Sequence, residues 1–456
     1  LVVAITVTVH VLLKQSNVRT ALGWTSVAWI SPLLGGFLYY VFGINRVVRR
    51  AVKLDRFGAI SGSIDQTALL KSKSPNIDML AQIGAKITDT PVVSGNRITV
   101  LQGGNAYSAM LSAIDQAQHS IALASYIFRN DEIGRAFADA LIRAQKRGIA
   151  VRVLLDGIGA GYFWPVILRR LRKAGVLAER FLHTWVPWRM PFLNIRNHKK
   201  LLIVDGQTGF TGGMNIGAEV VESLGRGASI TDVHVELEGP IVGHLMESFA
   251  YDWSFTTDEI LNEDIWWPNI GTHGSVYARG ISSGPDVIID KLEILLGAAL
   301  AQARTRIRIV TPYFLPDESL QVAIAQARLR GVVVDIVIPE KCDVALLNWA
   351  MRAHLRFFVE KSAFVYTSPA PFDHAKLMTV DGEWSLIGSS NWDARSLRLN
   401  FEFDVECYSK SVTAEVDALI DERISRSQKL DLDTLMSVPK HIQIRDAASR
   451  LLLPYL

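Results

Sequence analysis

One pattern occurs twice in this chain with identical internal spacing, and it constrains the fold more than any other feature. The first copy is NHKKLLIVDGQTGFTGGMN (197–215) and the second is DHAKLMTVDGEWSLIGSSN (373–391). Both copies follow His-x-Lys-x4-Asp-x6-Gly-x2-Asn. A long-range repeat of this kind predicts two similar structural units that pack together.

Each copy follows the same order of predicted elements. Apolar periodicity and helix-ending glycines predict a strand, a helix and a second strand before each copy. The ranges are 119–128, 131–148 and 149–156 in the first half, and 305–314, 317–331 and 332–339 in the second. Units of this kind form a parallel or mixed sheet with helices on its faces, which predicts an α/β fold.

The spacing within the pattern places several polar side chains at one sheet edge. Residues two apart in a strand face the same side, so the His and the Lys of each copy point together. The return strand of each copy ends at the same edge and brings an Asn there. The residues concerned are His198, Lys200 and Asn215 in the first copy, and His374, Lys376 and Asn391 in the second.

Each copy also contains an Asp-Gly pair, which between two strands predicts a hairpin turn. The pairs are Asp205-Gly206 and Asp381-Gly382. As members of the pattern, Asp205 and Asp381 are candidate catalytic residues. Their position in the turn favours a role in holding the loop rather than in contacting substrate.

Two histidines brought together by pseudo-symmetry suit phosphoryl transfer. One neutral imidazole attacks phosphorus, while the other donates a proton to the leaving alcohol and takes one from the incoming alcohol. The lysines and asparagines would stabilise the charge on the phosphate oxygens. A nucleophilic imidazole needs a partner on its other nitrogen, and the aligned Asp232 and Glu402 are the candidates, one in each half.

The composition excludes several other classes of protein. With 48 basic and 45 acidic residues the net charge is +3, which by itself argues neither for nor against a nucleic-acid partner. Together with the apolar N-terminal segment, the near-neutral charge argues against a nuclease, which usually needs a basic surface, so we expect no nucleic-acid partner. Two cysteines exclude a disulfide framework. The sequence contains no metal-ligand motif, so we expect neither a metal nor another cofactor.

Long uncharged, apolar stretches occur near the N-terminus of the chain. Residues 1–13 carry no charge, and neither do the 26 residues from 20 to 45. About 20 apolar residues span a bilayer, so we predict a transmembrane helical hairpin whose first helix is completed by residues before Leu1. The five basic residues within 46–56 place the rest of the chain in the cytoplasm, with the bilayer as a partner.

The duplicated pattern resembles the HxKxxxxD signature of the phospholipase D superfamily, and the resemblance covers about residues 90–425. With the N-terminal segment and the stretches RNHKK (196–200) and TPYFLPDESL (311–320), the chain is similar to bacterial cardiolipin synthases of that superfamily. The resemblance implies two pseudo-symmetric α-β-α sandwich domains behind a transmembrane hairpin. It also implies that two phosphatidylglycerol molecules give cardiolipin and glycerol through a phosphatidyl-histidine.

The resemblance also assigns roles to individual residues. It implies that His198 and His374 are the catalytic pair, with the first-motif His198 as nucleophile and His374 as acid and base. The superfamily often has Gly-Ser after the Asp, which the second copy keeps as Gly388-Ser389 and the first replaces by Gly212-Gly213. We therefore expect Ser389 to bind phosphate without a counterpart in the first half.

The expected organisation has five parts. They are a two-helix membrane segment at 1–45, a basic linker at 46–90, two phospholipase D-like domains at 91–270 and 271–425, and a tail at 426–456. We expect a multi-pass protein of the bacterial inner membrane.

Two other functions stay open. The alternative is a phospholipase D or phosphodiesterase that uses water as acceptor, and the third hypothesis is a non-enzymatic lipid-binding protein. The sequence leaves open the order of the histidines, the acceptor, and the oligomeric state, with a homodimer among the alternatives.

Overall fold

Two sets of strands with the same order lie side by side in one continuous mixed sheet. The computed structural model describes residues 1–14, 18–43, 74–161, 163–183, 195–221, 229–285 and 290–450. The strands are β1 Val93–Gln102, β2 Ser120–Ser125, β3 Ala150–Asp156, β4 Leu177–Phe181, β5 Leu201–Val204, β6 Thr208–Gly212, β7 Ile230–Thr231, β8 Val233–Glu238, β9 Val276–Ser283, β10 Arg306–Val310, β11 Phe314–Leu315, β12 Val333–Pro339, β13 Phe364–Ser368, β14 Phe372–Asp373, β15 Leu377–Val380, β16 Trp384–Gly388, β17 Trp392–Asp393, β18 Glu402–Tyr408 and β19 Gln428–Lys429.

The order of the strands makes the pseudo-symmetry explicit. From the centre outward the first half runs β1-β8-β6-β5-β2-β3-β4, and the second runs β9-β18-β16-β15-β10-β12-β13, with β19 at the edge. The halves join where β1 pairs antiparallel with β9, Val93 opposite Ala278 and Asn96 opposite Val276. The predicted α/β fold with two similar halves is confirmed, and the two halves share one sheet.

Helices cover both faces of this sheet. Alternate residues of β5 point to opposite faces, with Leu201 and Ile203 in one apolar core and Leu202 and Val204 in another. One face carries the long helices Ile241–Thr257 and Lys410–Ser425, whose apolar residues merge into a core common to both halves. The other face carries Gly104–Gln116, Glu132–Lys146 and Val166–Lys173 in the first half, and Lys291–Gln302, Glu318–Leu329 and Ala345–Glu360 in the second.

The predicted elements before each motif form where the sequence places them. In Glu132–Lys146 the N-cap Asp131 accepts a hydrogen bond from the amide of Gly134, and in Glu318–Leu329 the N-cap Asp317 accepts one from Leu320. Each helix is followed by a glycine with positive φ, Gly148 at 88° and Gly331 at 89°.

The N-terminal segment differs from the prediction. The stretch 20–45 was expected to be a single spanning helix, but Val18–Ile30 ends before Pro32, and Pro32–Leu38 and a π-helical turn at Tyr39–Gly43 follow. Ser31 has φ −142° and ψ 86°, since a residue before proline avoids the helical region. Across the described residues, none of the helices combines the length and the apolar character that crossing a bilayer requires.

Two further segments connect to the main body. The helix Pro75–Thr88 packs on the second half, where its Ala81 carbonyl accepts a hydrogen bond from the buried Arg279. In the tail, Leu432–Met436 and Lys440–Ser449 pack against Ala345–Glu360, and Arg352 pairs with Asp446 at 2.9 Å. Most of the basic linker predicted at 46–90 lies outside the described residues, as do the final residues 451–456.

Candidate active site

Both histidines of the duplicated pattern are anchored to the opposite half of the molecule. The amide of His198, just before β5, donates to the carbonyl of Phe401 at 2.8 Å. The amide of His374, between β14 and β15, donates to the carbonyl of Thr231 at 2.8 Å, beside the pairing of β14 with β7. These exchanged contacts bring the two motifs to one site between the halves.

The carboxylates that contact the imidazoles are exchanged in the same way. Nδ1 of His198 lies 2.8 Å from Oε2 of Glu402, and Nδ1 of His374 lies 2.7 Å from Oδ2 of Asp232. Both carboxylates are buried. The sequence predicted one partner for each histidine, and the structure adds that each partner comes from the other half. With Nδ1 engaged, Nε2 is the ring nitrogen left for chemistry.

Both lysines reach the same place. Nζ of Lys200 donates to the carbonyl of His198 at 2.6 Å, and Nζ of Lys376 lies 3.0 Å from Nδ1 of His374. Burial lowers the pKa of Lys200 to about 7 and that of Lys376 to about 8, and the charge of Lys376 adds to the effect on Lys200. Two buried ammonium groups with such pKa values form a favourable environment for an anion.

The two imidazoles are not electrostatically equal. Burial, followed by the charges of Lys200 and Lys376, holds the pKa of His198 well below its usual value. Burial and then the charge of Lys376 also lower the pKa of His374, but the charge of Asp232 and its hydrogen bond oppose that effect. Burial by itself raises the pKa of Asp232, yet the charge of His374 and their hydrogen bond outweigh it and lower the value. Asp232 is therefore ionised next to His374.

The carboxylate on the other side behaves differently. Burial raises the pKa of Glu402 to about 7, and the charge of Lys200 and the hydrogen bond from Ser389 only partly offset this effect. Nδ2 of Asn400 donates to its second oxygen at 3.2 Å. His198 is thus held by a carboxylate with a pKa of about 7, whereas His374 is held by one whose pKa lies below its usual value.

The two asparagines occupy equivalent positions after β6 and β16. The carboxamide oxygens of Asn215 and Asn391 are buried, and neither has a hydrogen-bond partner within the part of the chain that the structure describes. Polar groups buried without a partner are uncommon in proteins, and because a carboxamide oxygen only accepts, these two favour a hydrogen-bond donor of a ligand rather than a phosphate oxygen. Their assignment to the phosphate stays a prediction.

The structure does not bring the two aspartates of the pattern to the site. Asp205 accepts hydrogen bonds from the amides of Gln118, His119 and Ser120 at 2.7–2.9 Å, at the far end of β5. Asp381 binds the amides before β10 in the same way. The four residues of β5 alone span about 13 Å. Both aspartates hold the start of a neighbouring strand, as their turn position suggested, and a catalytic role for them stays a prediction without a contact at the site.

Ser389 contacts a carboxylate of the site, and its role as a phosphate ligand stays a prediction. Its hydroxyl is fully buried and donates to Oε2 of Glu402 at 2.6 Å, the oxygen that contacts His198. At the equivalent Gly213, a Cβ atom would lie 2.1 Å from Oδ1 of Asp232. The missing hydroxyl of the first copy therefore leaves room for the shorter carboxylate. Ser389 and Gly213 therefore each lie against the carboxylate that contacts a histidine, Glu402 in one case and Asp232 in the other.

Comparisons with known proteins agree with this geometry. A family model described as "Cardiolipin synthase, PLD-like domain" matches residues 110–253 and 296–424. A cardiolipin synthase of Geobacillus sp. (strain WCH70) is 31% identical over 95% of this chain and 88% of its own length. The chain belongs to the cardiolipin synthase family. The resemblance drawn from the duplicated motif is confirmed.

A second curated relative and a solved structure also agree with membership of the cardiolipin synthase family. The major cardiolipin synthase ClsA of Bacillus subtilis (strain 168) is 30% identical over 97% of this chain and 95% of its own length. Among solved structures, phosphatidylserine synthase of Haemophilus influenzae Rd KW20 matches 83% of this chain and 100% of its own with a TM-score of 0.64. At 15% identity, that likeness establishes the fold.

Sequence reasoning missed residues around the histidines of this family member. The ring of Tyr126 meets that of His198 edge to face, 4.8 Å between centroids, and Nζ of Lys200 lies 5.4 Å from the same ring. Oδ2 of Asp156 accepts the amide of Asn197 at 2.8 Å, one residue before His198. Both lie in the C-terminal part of a predicted strand, 119–128 or 149–156, and that position at the sheet edge is the signal that would have found them.

Buried ion pairs tie each motif to the helix beneath it. Lys199 pairs with Asp252 of Ile241–Thr257 at 2.9 Å, and Asn197 donates to the same carboxylate. In the second half the polarity is reversed, because Asp373 pairs with Arg423 of Lys410–Ser425 at 2.5 Å. All four charged side chains are almost completely buried. These pairs fix the segments that carry His198 and His374 relative to the common core.

Proposed function

We propose that this chain is a phosphatidyltransferase that makes cardiolipin and glycerol from two phosphatidylglycerol molecules. The observation that carries the proposal is the pair of exchanged hydrogen bonds, His198 with Glu402 and His374 with Asp232. Each bond occupies Nδ1 and presents Nε2, so two oriented imidazoles face one site. The names of the relatives, cardiolipin synthase, support the choice of substrate and product.

In the first step, Nε2 of His198 attacks the phosphorus of one phosphatidylglycerol. A nitrogen–phosphorus bond forms, the bond from phosphorus to the glycerol oxygen breaks, and His374 gives its proton to the departing glycerol. Lys200 and Lys376 stabilise the negative charge on the phosphate oxygens, together with Asn215 and Asn391.

In the second step, the primary hydroxyl of another phosphatidylglycerol displaces the histidine. A new oxygen–phosphorus bond forms, the bond to His198 breaks, and the hydroxyl proton passes to His374. Transfer to an alcohol rather than to water requires that water be excluded from the phosphatidyl-histidine. The burial of His198 and of both lysines, and the exposure of only 13% of the His374 side chain, support this requirement.

The electrostatic difference between the half-sites supports the order of the histidines. His198 is held neutral by burial and by two nearby ammonium groups, which is the state a nucleophile needs. His374 contacts the ionised Asp232, which stabilises the imidazolium that a proton donor needs. We therefore assign the nucleophile to His198 and the acid and base to His374.

We further propose that the N-terminal segment anchors the enzyme to the bacterial inner membrane, with both domains on the cytoplasmic side. Exposed apolar side chains on Val2–Lys14, Val18–Ile30 and Pro32–Leu38 support a lipid contact, among them Leu12 at 69%, Ile30 at 84% and Leu33 at 81%. The basic residues within 46–56 support the orientation. The domain limits 91–270 and 271–425 belong to the same proposal.

The test is a product assay with the full chain in liposomes or detergent, with labelled phosphatidylglycerol as the only lipid. Cardiolipin with equimolar release of glycerol is the expected result. The variants His198→Ala and His374→Ala should each abolish both products. Phosphatidic acid as the main product would overturn the assignment, because water would then be the acceptor and the enzyme a phospholipase D.

A further inference from the structure

Two neighbouring aromatic side chains lie on the surface of the first half. Phe163 is 66% exposed and Trp164 is 74% exposed, and within the described ranges no aromatic side chain is more exposed than these two. Single apolar residues are ordinary on a protein surface, but adjacent exposed aromatic rings indicate a contact surface. They lie between β3 and the helix Val166–Lys173, in a stretch that the duplicated motif does not explain.

The backbone around the two rings is ordered by local contacts. Gly161 has a φ of 94°, a left-handed conformation that favours glycine, and it turns the chain just before the pair. The carbonyl of Trp164 accepts the amide of Val166 at 2.9 Å, and Pro165 between them is buried. The guanidinium carbon of Arg169 lies 5.1 Å from the centre of the Trp164 ring. The turn therefore presents both rings outward while a cation stacks on one of them.

The connection that carries the pair is tied to the nucleophile. Asp156, at the end of β3, accepts the amide of Gly159 at 2.8 Å with one oxygen and that of Asn197 at 2.8 Å with the other. Asn197 directly precedes His198. Gly159 also packs so closely on Tyr126 that a Cβ atom would lie 2.2 Å from the carbonyl oxygen of that residue. Because the ring of Tyr126 contacts that of His198, the exposed pair lies at the same sheet edge as the site.

The helix that follows adds positive charge to this surface. Val166, Arg169 and Lys173 are exposed and recur at helical spacing on one face, while the other apolar side chains of the helix are buried. Aromatic rings flanked by arginine and lysine are typical of surfaces that contact an anionic bilayer. The rings enter the headgroup region, and the cations are attracted by the lipid phosphates.

We propose that Phe163, Trp164, Val166, Arg169 and Lys173 form an interfacial surface that docks on an anionic bilayer beside the active site. The inference rests on the proposed function, because it concerns a substrate whose acyl chains lie in a membrane. An N-terminal anchor attaches the enzyme to the bilayer but does not orient the site. Docking through the interfacial surface turns the His198 side towards the lipid, so that a headgroup reaches the site while its acyl chains stay in the bilayer.

The equivalent connection of the second half differs in character. It runs over residues 340–344, between β12 and the helix Ala345–Glu360, and it contains no aromatic residue. Three of its five residues are charged, namely Glu340, Lys341 and Asp343. Charged side chains of both signs do not favour entry into a headgroup region. The asymmetry supports a bilayer contact on the side of His198, where the proposed reaction forms the phosphatidyl-histidine.

The first experiment supplies one headgroup in two physical forms. The full chain is reconstituted in phosphatidylcholine vesicles, and phosphatidylglycerol is supplied as a long-chain lipid of the same vesicles or as short-chain molecules dissolved in the water. For Phe163→Ser and Trp164→Ser we expect the ratio of the long-chain rate to the short-chain rate to fall about tenfold, the factor that corresponds to burying part of one large apolar side chain.

A matched control tests whether any exposed apolar residue has this effect. Leu329 is more exposed than Trp164 and ends the helix Glu318–Leu329, just before β12 begins at the opposite edge of the sheet. Leu329→Ser should leave the ratio unchanged. An equal fall of both rates in Phe163→Ser and Trp164→Ser would overturn the inference, because the rings would then stabilise the fold or the site. An unchanged ratio in these two variants would overturn it as well.

The second experiment locates the surface directly. An environment-sensitive fluorophore is attached to Trp164→Cys in a Cys342→Ser background, since the other cysteine, Cys407, is buried. We expect a quencher on the lipid acyl chains to quench this label strongly, and to leave a label on Leu329→Cys unaffected. A label at position 164 that reports apolar surroundings without quenching would assign the surface to a second copy of the chain and overturn the inference. A wild-type chain that makes no cardiolipin from either form, with the label still quenched, would instead refute the proposed function.

Discussion

Glu402 holds the imidazole of His198 across 204 residues of chain, from the opposite half of the molecule. Oε2 of Glu402 lies 2.8 Å from Nδ1 of His198, and the reciprocal contact of Asp232 with His374 measures 2.7 Å. Neither half on its own contains a complete set of catalytic groups. The duplicated fold is therefore required as a unit, because each half supplies the orienting carboxylate of the other.

Removal of either carboxylate charge should lower turnover sharply. In Glu402→Gln or Asp232→Asn the imidazole loses the partner that fixes its tautomer, and we expect cardiolipin formation to fall about 100-fold. Glu406→Gln is the matched control on β18, since Glu406 is equally buried but pairs with Arg279 at the joint of the halves. That variant should lower the melting temperature, while the protein that remains folded keeps its turnover. An equal loss of turnover in Glu402→Gln, Asp232→Asn and Glu406→Gln would argue against a specific role of Glu402 and Asp232 in orienting the histidines.

Ser389→Ala should change the pH dependence rather than lipid binding. Burial raises the pKa of Glu402 to about 7, and the hydrogen bond from Ser389 works against that rise. Without the hydroxyl the pKa rises further, so Glu402 stays protonated to a higher pH. If the ionised carboxylate is the active form, the acidic limb of the rate profile moves upward. A higher KM for phosphatidylglycerol with an unchanged pH profile would instead support Ser389 as a phosphate ligand.

Substitution of the turn aspartates should affect stability. Asp205 and Asp381 each accept three backbone amides, and both have positive φ, 52° and 54°. In Asp205→Ala or Asp381→Ala the amides lose their acceptor, which costs about 1–3 kcal/mol of unfolding free energy. Thermal unfolding measures this loss. Turnover of the folded fraction should stay within about threefold of the wild type, well short of a catalytic effect, and a much larger fall would show that these aspartates act in the chemistry.

The buried pair Lys199–Asp252 should stabilise the segment that carries His198. Lys199→Met leaves the carboxylate of Asp252 buried without its cation, and we expect a loss of about 3–5 kcal/mol. The double variant Lys199→Met with Asp252→Leu removes both charges and should recover much of that loss. Chemical denaturation of the three proteins checks this order. A double variant less stable than the single one would show that the pair itself stabilises the fold.

Much of the fold and part of the site follow from the sequence. The strand and helix pattern before each motif predicted the elements Ser120–Ser125, Glu132–Lys146 and Ala150–Asp156 and their counterparts in the second half, because periodicity and capping are local properties. The break at Ser31 was missed because the prediction weighed hydropathy alone, although Pro32 marks it.

The duplicated pattern by itself determined that the chain has two similar halves, and which histidines and lysines meet. Only the tertiary structure decided that Glu402 contacts His198, that Asp232 contacts His374, and that Ser389 contacts a carboxylate. Spacing along a strand determines which side chains share a face. The contacts between halves depend instead on how β1 joins β9 and on the bridges to Phe401 and Thr231, and residues that distant in sequence carry no local signal of their partner.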